Sequence, residues 1–339
     1  MSVPSAAPPL IFSHMSDVVC LGEIMLRLTT PLHHRLADAP FLDLCFGGAE
    51  ANVAVQLASL GRSAAFVSRL PSNELGDRCV DALRGRGVET RHVVRGGARV
   101  GTYFVSPGFG PRATTVLYDR AHSAMSEAAA GDFNWDTIFA GARWFHWSGI
   151  TPALSASCAQ LALEACKEAK RRGLTVSFDL NFRAKLWSVS EAAAALQPLM
   201  EWVDVCVCGA DEAVSILGAS AGDEAASLVQ KYAFSHVAMT RRSGSDAHAT
   251  GWQAMLYTGG CTVFSREYDL AIVDRIGTGD SFTGALIFSL MRGDSPQQAV
   301  EFAAAAGAWK HTIPGDWNRA AVAEIEALAA GQSGGSVQR

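Results

Sequence analysis

Asp274-Arg-Ile-Gly-Thr-Gly-Asp-Ser-Phe-Thr-Gly-Ala-Leu-Ile-Phe288 is the stretch on which the reading of this chain turns. A strand-like run, Tyr268 to Val273, leads into it. Phe282, Leu286 and Leu290 then recur on one face of a helical pattern. A two-glycine turn between strand and helix makes an anion site, because first-turn amides lack helical partners and the helix dipole favours negative charge. Asp280 has two readings there. As an N-cap it only closes the end of the helix. As a carboxylate beside an anion hole it is a base placed to take a proton from an attacking hydroxyl. A pure phosphate cradle would gain nothing from its charge.

The 339 residues are 49% apolar and 18% charged, with 32 glycines and a formal net charge of −5. That supports a large core in one α/β domain over residues 17–330. It gives no basic footprint for nucleic acid, and no apolar run is long enough to span a membrane. Of the eight cysteines, Cys20, Cys166 and Cys206 lie in apolar runs, where a free thiol acts as a small hydrophobe. Cys206-Val-Cys208 lacks the spacing of a zinc or redox pair. Together with nine scattered histidines this predicts a reducing, cytoplasmic setting without a structural metal. Residues 1–16, rich in Pro, Ala and Ser, read as a disordered tail with no signal-peptide pattern, and 331–339 as a flexible one. Neither a P-loop nor a Gly-x-Gly-x-x-Gly fingerprint occurs.

Asp17 to Leu28 alternates around Gly22 and Glu23 as a first core strand. Phe46-Gly-Gly-Ala-Glu-Ala-Asn52 then opens a second glycine-led helix. Its glycines either admit a ligand to the backbone or form a plain tight turn, with Asn52 facing solvent. Residues 64–95 read as strand, helix, strand. Arg99 to Asp119 reads as a hairpin about Pro107–Pro111. Tyr103 fits a packing aromatic, and Arg120 an ion-pair partner. From Trp144 onward, strand runs near 143–147, 174–180, 203–207 and 235–240 alternate with helical patterns at 155–172, 189–201 and 222–233. Such runs imply a parallel sheet with right-handed crossovers and ligands beyond its carboxyl ends. Phe178 to Trp187 leaves one such end carrying Asp179, Asn181, Arg183 and Lys185. Arginine is suited to a carboxylate or phosphate through its bidentate fork.

Asp-x-x-Gly-x-Gly-Asp at 274–280, and Gly47-Gly48 with Asn52, lie more than 220 residues apart. Together they resemble the two signatures of the ribokinase-like (PfkB) carbohydrate kinases. The resemblance implies a mostly parallel central sheet flanked by helices, with a small β-strand lid from segments near 24–46 and 99–120. It makes Asp280 the catalytic base and the amides of Gly277, Thr278 and Gly279 the anion hole. It places Gly48, Asn52, Tyr103, Tyr118, Arg120, Arg183 and Asp316 around the sugar. ATP would meet Asn181, Arg183, Arg241, Ser243, Gly277 and Gly279. Mg2+ and a monovalent cation near Asp274 are implied as well.

Residues 118–123, 144–154, 178–187 and 310–316 are similar to one branch, which phosphorylates 2-keto-3-deoxygluconate. The implied partners are a small sugar acid and ATP, in a homo-oligomer, with neither nucleic acid nor membrane. One departure stands out. Where the family often has Asn-x-x-Glu, this chain has Gly209-Ala-Asp-Glu212, so Glu212 alone carries an indirect metal role. The rival readings are a kinase for fructose or ribose and a non-catalytic sugar-binding regulator. Arginines at the lid and after Asn181 speak against a neutral sugar, which would leave them unpaired. Asp280 speaks against a mere binder.

Overall fold

The apolar runs become the strands of two sheets in a computed structural model, which describes residues 15–244 and 249–332. The tails expected over 1–16 and 331–339 fall, for residues 1–14 and 333–339, outside the described residues. The chain starts with the fully buried β1 (Val18–Leu21), then turns into β2 (Met25–Thr29) and β3 (Asp43–Gly47). Helix Ala49–Ser59 leads to β4 (Ala64–Leu70), and helix Glu74–Arg84 to β5 (Val93–Arg95). β6 (Thr102–Ser106) and β7 (Thr115–Asp119) form the expected hairpin. β8 (Trp144–Ser148), β9 (Thr175–Asp179), β10 (Val205–Cys208) and β11 (His236–Ser243) then alternate with helices. β12 (Ala249–Thr258), β13 (Cys261–Phe264) and β14 (Tyr268–Ala271) precede the packed helices Thr278–Arg292 and Pro296–Lys310.

The large sheet runs β13-β12-β11-β10-β9-β8-β1-β4-β5, with β14 also on β12. From β5 to β11 every pairing is parallel, and β12 adds an antiparallel edge. Helices cover both faces. Val18 and Cys20 pack with Phe66, Phe282 and Leu286 on one side, while Val19 and Leu21 pack with Phe145 and Trp147 on the other. Such two-sided burial explains why β8 and β10 are near-continuous apolar runs, not alternating ones. Among the described residues no helix is long and apolar enough to cross a membrane.

A second sheet, β3-β2-β6-β7, stands apart from the first. Its inner face carries Met25, Tyr103 and Val105, with Val116 and Tyr118 packed against them. The single strand expected over Asp17 to Leu28 is therefore two strands in two sheets. The break falls at Gly22, where the Glu50 carboxylate fills the place a Cβ would need. Glu23 then turns to an ion pair with Arg120. Both halves of the run are buried, so its periodicity passes through the turn without marking it.

Candidate active site

Between the small sheet and the carboxyl ends of β9, β10 and β11 lies a cleft of about 570 Å³, a size typical of small-molecule sites. Gly48, Asn52, Tyr103, Tyr118, Arg120, Asn181, Arg183 and Glu212 line it, as do Gly277, Thr278, Gly279, Asp280 and Asp316. Residues from seven separate stretches of sequence thus meet on one surface.

The start of helix Thr278–Arg292 forms part of that surface. Its N-cap is Gly277, left-handed at φ 83°, and a Cβ there would run into the carbonyl of Asp316. Only glycine meets both demands. Arg242 donates to the Thr278 hydroxyl at 2.6 Å. Asp280 lies inside the first turn and does not cap it. Its carboxylate accepts from Asn52 Nδ2 at 2.6 Å and is 9% exposed. Burial pushes the Asp280 carboxyl up to about 7; the Asn52 amide and Arg183 restrain the rise, and Asp179 and Asp316 add to it. A carboxyl poised near neutrality is suited to exchange a proton with substrate.

Asn52 faces inward, one turn into helix Ala49–Ser59, and is 3% exposed. Besides Asp280 it reaches Asp316 Oδ2 at 3.4 Å, and its own Oδ1 accepts from the Gly48 amide at 3.3 Å. A Cβ at Gly48 would overlap the Glu23 carbonyl, so the helix start can sit this deep only with glycine. Asp316 also accepts from Tyr103 OH at 2.7 Å and from Arg27 Nη1 at 2.7 Å. The other arm of Arg27 meets Asp274 at 2.5 Å. Burial opposes the Arg27 charge, but Asp316 and Asp274 overcome it and hold the pKa above its ordinary value. Tyr103 is both the packing aromatic of its periodicity and a hydrogen-bond donor.

Arg120 is 6% exposed and forms a buried pair with Glu23, its Nε at 2.9 Å, while its guanidinium lies over the Tyr118 ring. Its charge is therefore balanced within the protein, which removes half of the argument from surplus arginine. Arg183 keeps the other half. It is exposed in the cleft, and its side chain makes no hydrogen bond or ion pair among the described residues. The neighbouring Asn181 takes a left-handed turn at φ 40°, which Asn tolerates, and its backbone N–H donates to Asp179 Oδ1 at 3.1 Å. Asp179 lines the cleft too, pushed up to about 6 by burial while Thr283 and Arg183 restrain it.

The structure does not bring Arg241 or Ser243 to the cleft. Side chains alternate along β11, so Thr240 and Arg242 line the cleft, whereas Arg241 pairs with Gln253 at 3.0 Å on the other face. Strand register counted from Thr240 would have selected Arg242. Arg27 was also missed, although an arginine inside the buried run Met25-Leu-Arg-Leu28 is itself a signal. Glu212 sits in the first turn of helix Ala210–Ser215. Its carboxylate occupies the position of a Cβ on residue 209, so Gly209 lets it lie back where an Asn would displace it. Glu212, Asp179 and the side-chain carbonyl of Asn181 line the same cleft and carry oxygen atoms of the hard kind that Mg2+ takes.

A glycine-capped helix start, a buried carboxylate and a cleft under a small sheet thus meet at one place. Residues 15–318 match the pfkB family of carbohydrate kinases, and the chain belongs to that family, whose members use ATP. It is 37% identical to a 2-dehydro-3-deoxygalactonokinase of Haloferax volcanii, over 94% of this chain and 98% of that one. A solved 2-dehydro-3-deoxygluconokinase of Thermotoga maritima superposes with a TM-score of 0.91 at 45% identity, covering 93% of this chain and 100% of that one. The fold extends to a putative ribokinase II of E. coli solved with ATP and Mg2+, at a TM-score of 0.80 and 21% identity, covering 93% and 99% of the two chains.

Proposed function

We propose that this kinase transfers the γ-phosphoryl group of ATP to 2-keto-3-deoxygluconate or its galacto epimer, giving the 6-phosphate. The observation that carries the reading is an uncommitted arginine, Arg183, in the same cleft as the buried carboxylate of Asp280. Asp280 takes the proton of the attacking hydroxyl, held in line by Asn52. The first-turn amides from Gly277 to Gly279 stabilise charge on the moving group, and Arg242 adds a positive charge beside Thr278. Arg183 meets the substrate carboxylate, while Gly48, Tyr103, Tyr118, Arg120 and Asp316 shape the sugar pocket. Bound Mg2+ would neutralise the β and γ oxygens, with Glu212, Asp179 and Asn181 holding it directly or through water. The small sheet serves as the lid; Lys185 Nζ reaches the Val116 carbonyl at 2.5 Å and fastens the lid to the loop after β9.

An ATP-consumption assay across both keto-deoxy acids, fructose and ribose tests the reading. The acids should be preferred. Arg183→Leu should raise KM for them by roughly 10- to 150-fold, the equivalent of a charge-assisted hydrogen bond. Equal efficiency on fructose or ribose would overturn the sugar-acid assignment.

Two wider features belong to the same proposal. Leu44, Leu28, Phe104 and Leu117 sit directly opposite one another across the outer face of the lid. Leu44 and Leu117 are 38% and 55% exposed. A continuous apolar row of this kind supports the reading of a homo-oligomer with a second copy seated on it. Leu117→Glu should convert it to monomer in sedimentation, and a monomeric parent would refute the interface. All eight cysteines are free, the neighbouring Cys206 and Cys208 included, as suits the reducing cytoplasm.

A further inference from the structure

Lys310, the last residue of helix Pro296–Lys310, points inward and is 0% exposed. Burying an ammonium is costly unless its charge and its donors are satisfied. Its Nζ donates to two main-chain carbonyls, Ile313 at 3.1 Å and Asp274 at 3.4 Å. The first belongs to the loop that carries Asp316, the second to the turn that leads into Gly277 and Asp280. The same helix end holds that turn, because the His311 carbonyl accepts from the amides of Val273 at 2.8 Å and Asp274 at 3.2 Å. Burial pulls the Lys310 pKa below its ordinary value, while Asp274, Asp316 and Asp280 pull the other way and Arg27 assists burial.

Charge bookkeeping gives this placement a meaning. Three carboxylates crowd the corner, Asp274, Asp280 and Asp316, none more than 11% exposed. Two buried cations face them, Arg27 and Lys310. A small monovalent ion is held by carbonyl oxygens, and the carboxyl end of a helix favours positive charge. Lys310 occupies such a position by a covalent tether. The monovalent cation expected near Asp274 therefore does not fit: the ammonium already holds the carbonyls, and a second cation beside it would be repelled.

We propose that Lys310 is a built-in monovalent cation, a positioning residue that balances charge beneath the anion hole, so that catalysis requires neither K+ nor Na+. Through the Asp274 carbonyl it steadies the turn on which Asp280 and the phosphoryl-binding amides depend. Without it, the three carboxylates would face one buried cation fewer at the point where a phosphate must arrive.

The inference rests on the kinase reading above, and its test has one readout that needs no turnover. The parent protein is melted, and assayed with ATP, Mg2+ and the keto-deoxy acid, in tetramethylammonium salt and then in KCl at equal ionic strength. Neither the melting temperature nor kcat should respond, kcat changing by less than about threefold. Lys310→Ala vacates the carbonyl nest. Its melting temperature should rise in KCl or NH4Cl, because an ion that binds the folded state stabilises it. Its kcat, lowered by about tenfold or more, should partly recover in the same salts. Activation of the parent by K+ of about threefold or more overturns the proposal. So does a folded Lys310→Ala protein that K+ neither stabilises nor reactivates. Should that variant not fold, the salt response of the parent decides.

Discussion

Asp280→Asn is expected to lower kcat by roughly 10²–10⁴-fold, with little change in KM for ATP or the sugar acid. A sugar hydroxyl is a weak nucleophile at neutral pH, and the base acts mainly as the phosphoryl group moves, which separates kcat from binding. The substituted side chain still offers Asn52 an oxygen to donate to, so the contact that positions residue 280 survives. Stability should not fall either. A carboxyl raised from 3.8 to about 7 stabilises the folded state below its unfolded value and loses that contribution as pH rises through 7. At pH 8 the parent holds an ionised carboxylate against its burial, and the amide does not. The variant should melt no lower than the parent there. In the parent, kcat/KM should fall as pH drops below about 7, because protonation removes the base. A folded Asp280→Asn enzyme with near-parent kcat would reduce Asp280 to a structural residue.

Arg27→Met should destabilise the fold by about 3–5 kcal/mol, the usual cost of leaving a buried charge without its partner. Arg27 is 2% exposed and holds Asp316 with one arm and Asp274 with the other. Methionine matches much of its volume and so isolates the electrostatic loss from a packing defect. Arg27→Lys should recover only part, since one ammonium cannot reach two carboxylates with the geometry of a planar fork. Urea unfolding reads the effect. A loss below about 1 kcal/mol would place the pair with ordinary surface bridges.

Much of this architecture is legible in sequence because it is local. Gly277 must turn left-handed just before a helix, and an Asp follows three residues on, so the motif and its geometry coincide. β8 and β10 are buried on both faces and announce themselves as near-continuous apolar runs. What stayed hidden depends on register or on distance. The choice between Arg241 and Arg242 is a matter of strand phase, which one residue reverses. The break between β1 and β2 is set by Glu50, a residue on a different element, reaching into the space beside Gly22. Arg120 reads equally well as a substrate arginine or an ion-pair partner, and only the fold names the partner as Glu23, 97 positions earlier. No local pattern can report such contacts.

The Arg27 pair also constrains how the molecule is made. Its hydrogen bond to Asp316 closes a separation of 289 positions, and the one to Asp274 a separation of 247. Contacts of that span come late in folding, because chain entropy must be spent before they return anything. During synthesis β2 emerges with its arginine bare, and both partner carboxylates are still to be translated. The strands of the small sheet are likewise split between two distant segments, β2 and β3 in one and β6 and β7 in the other. A growing chain can assemble its parallel strands from the amino end onward, as domains commonly do. Until residue 316 has left the ribosome, Arg27 has at most one of its two carboxylate partners.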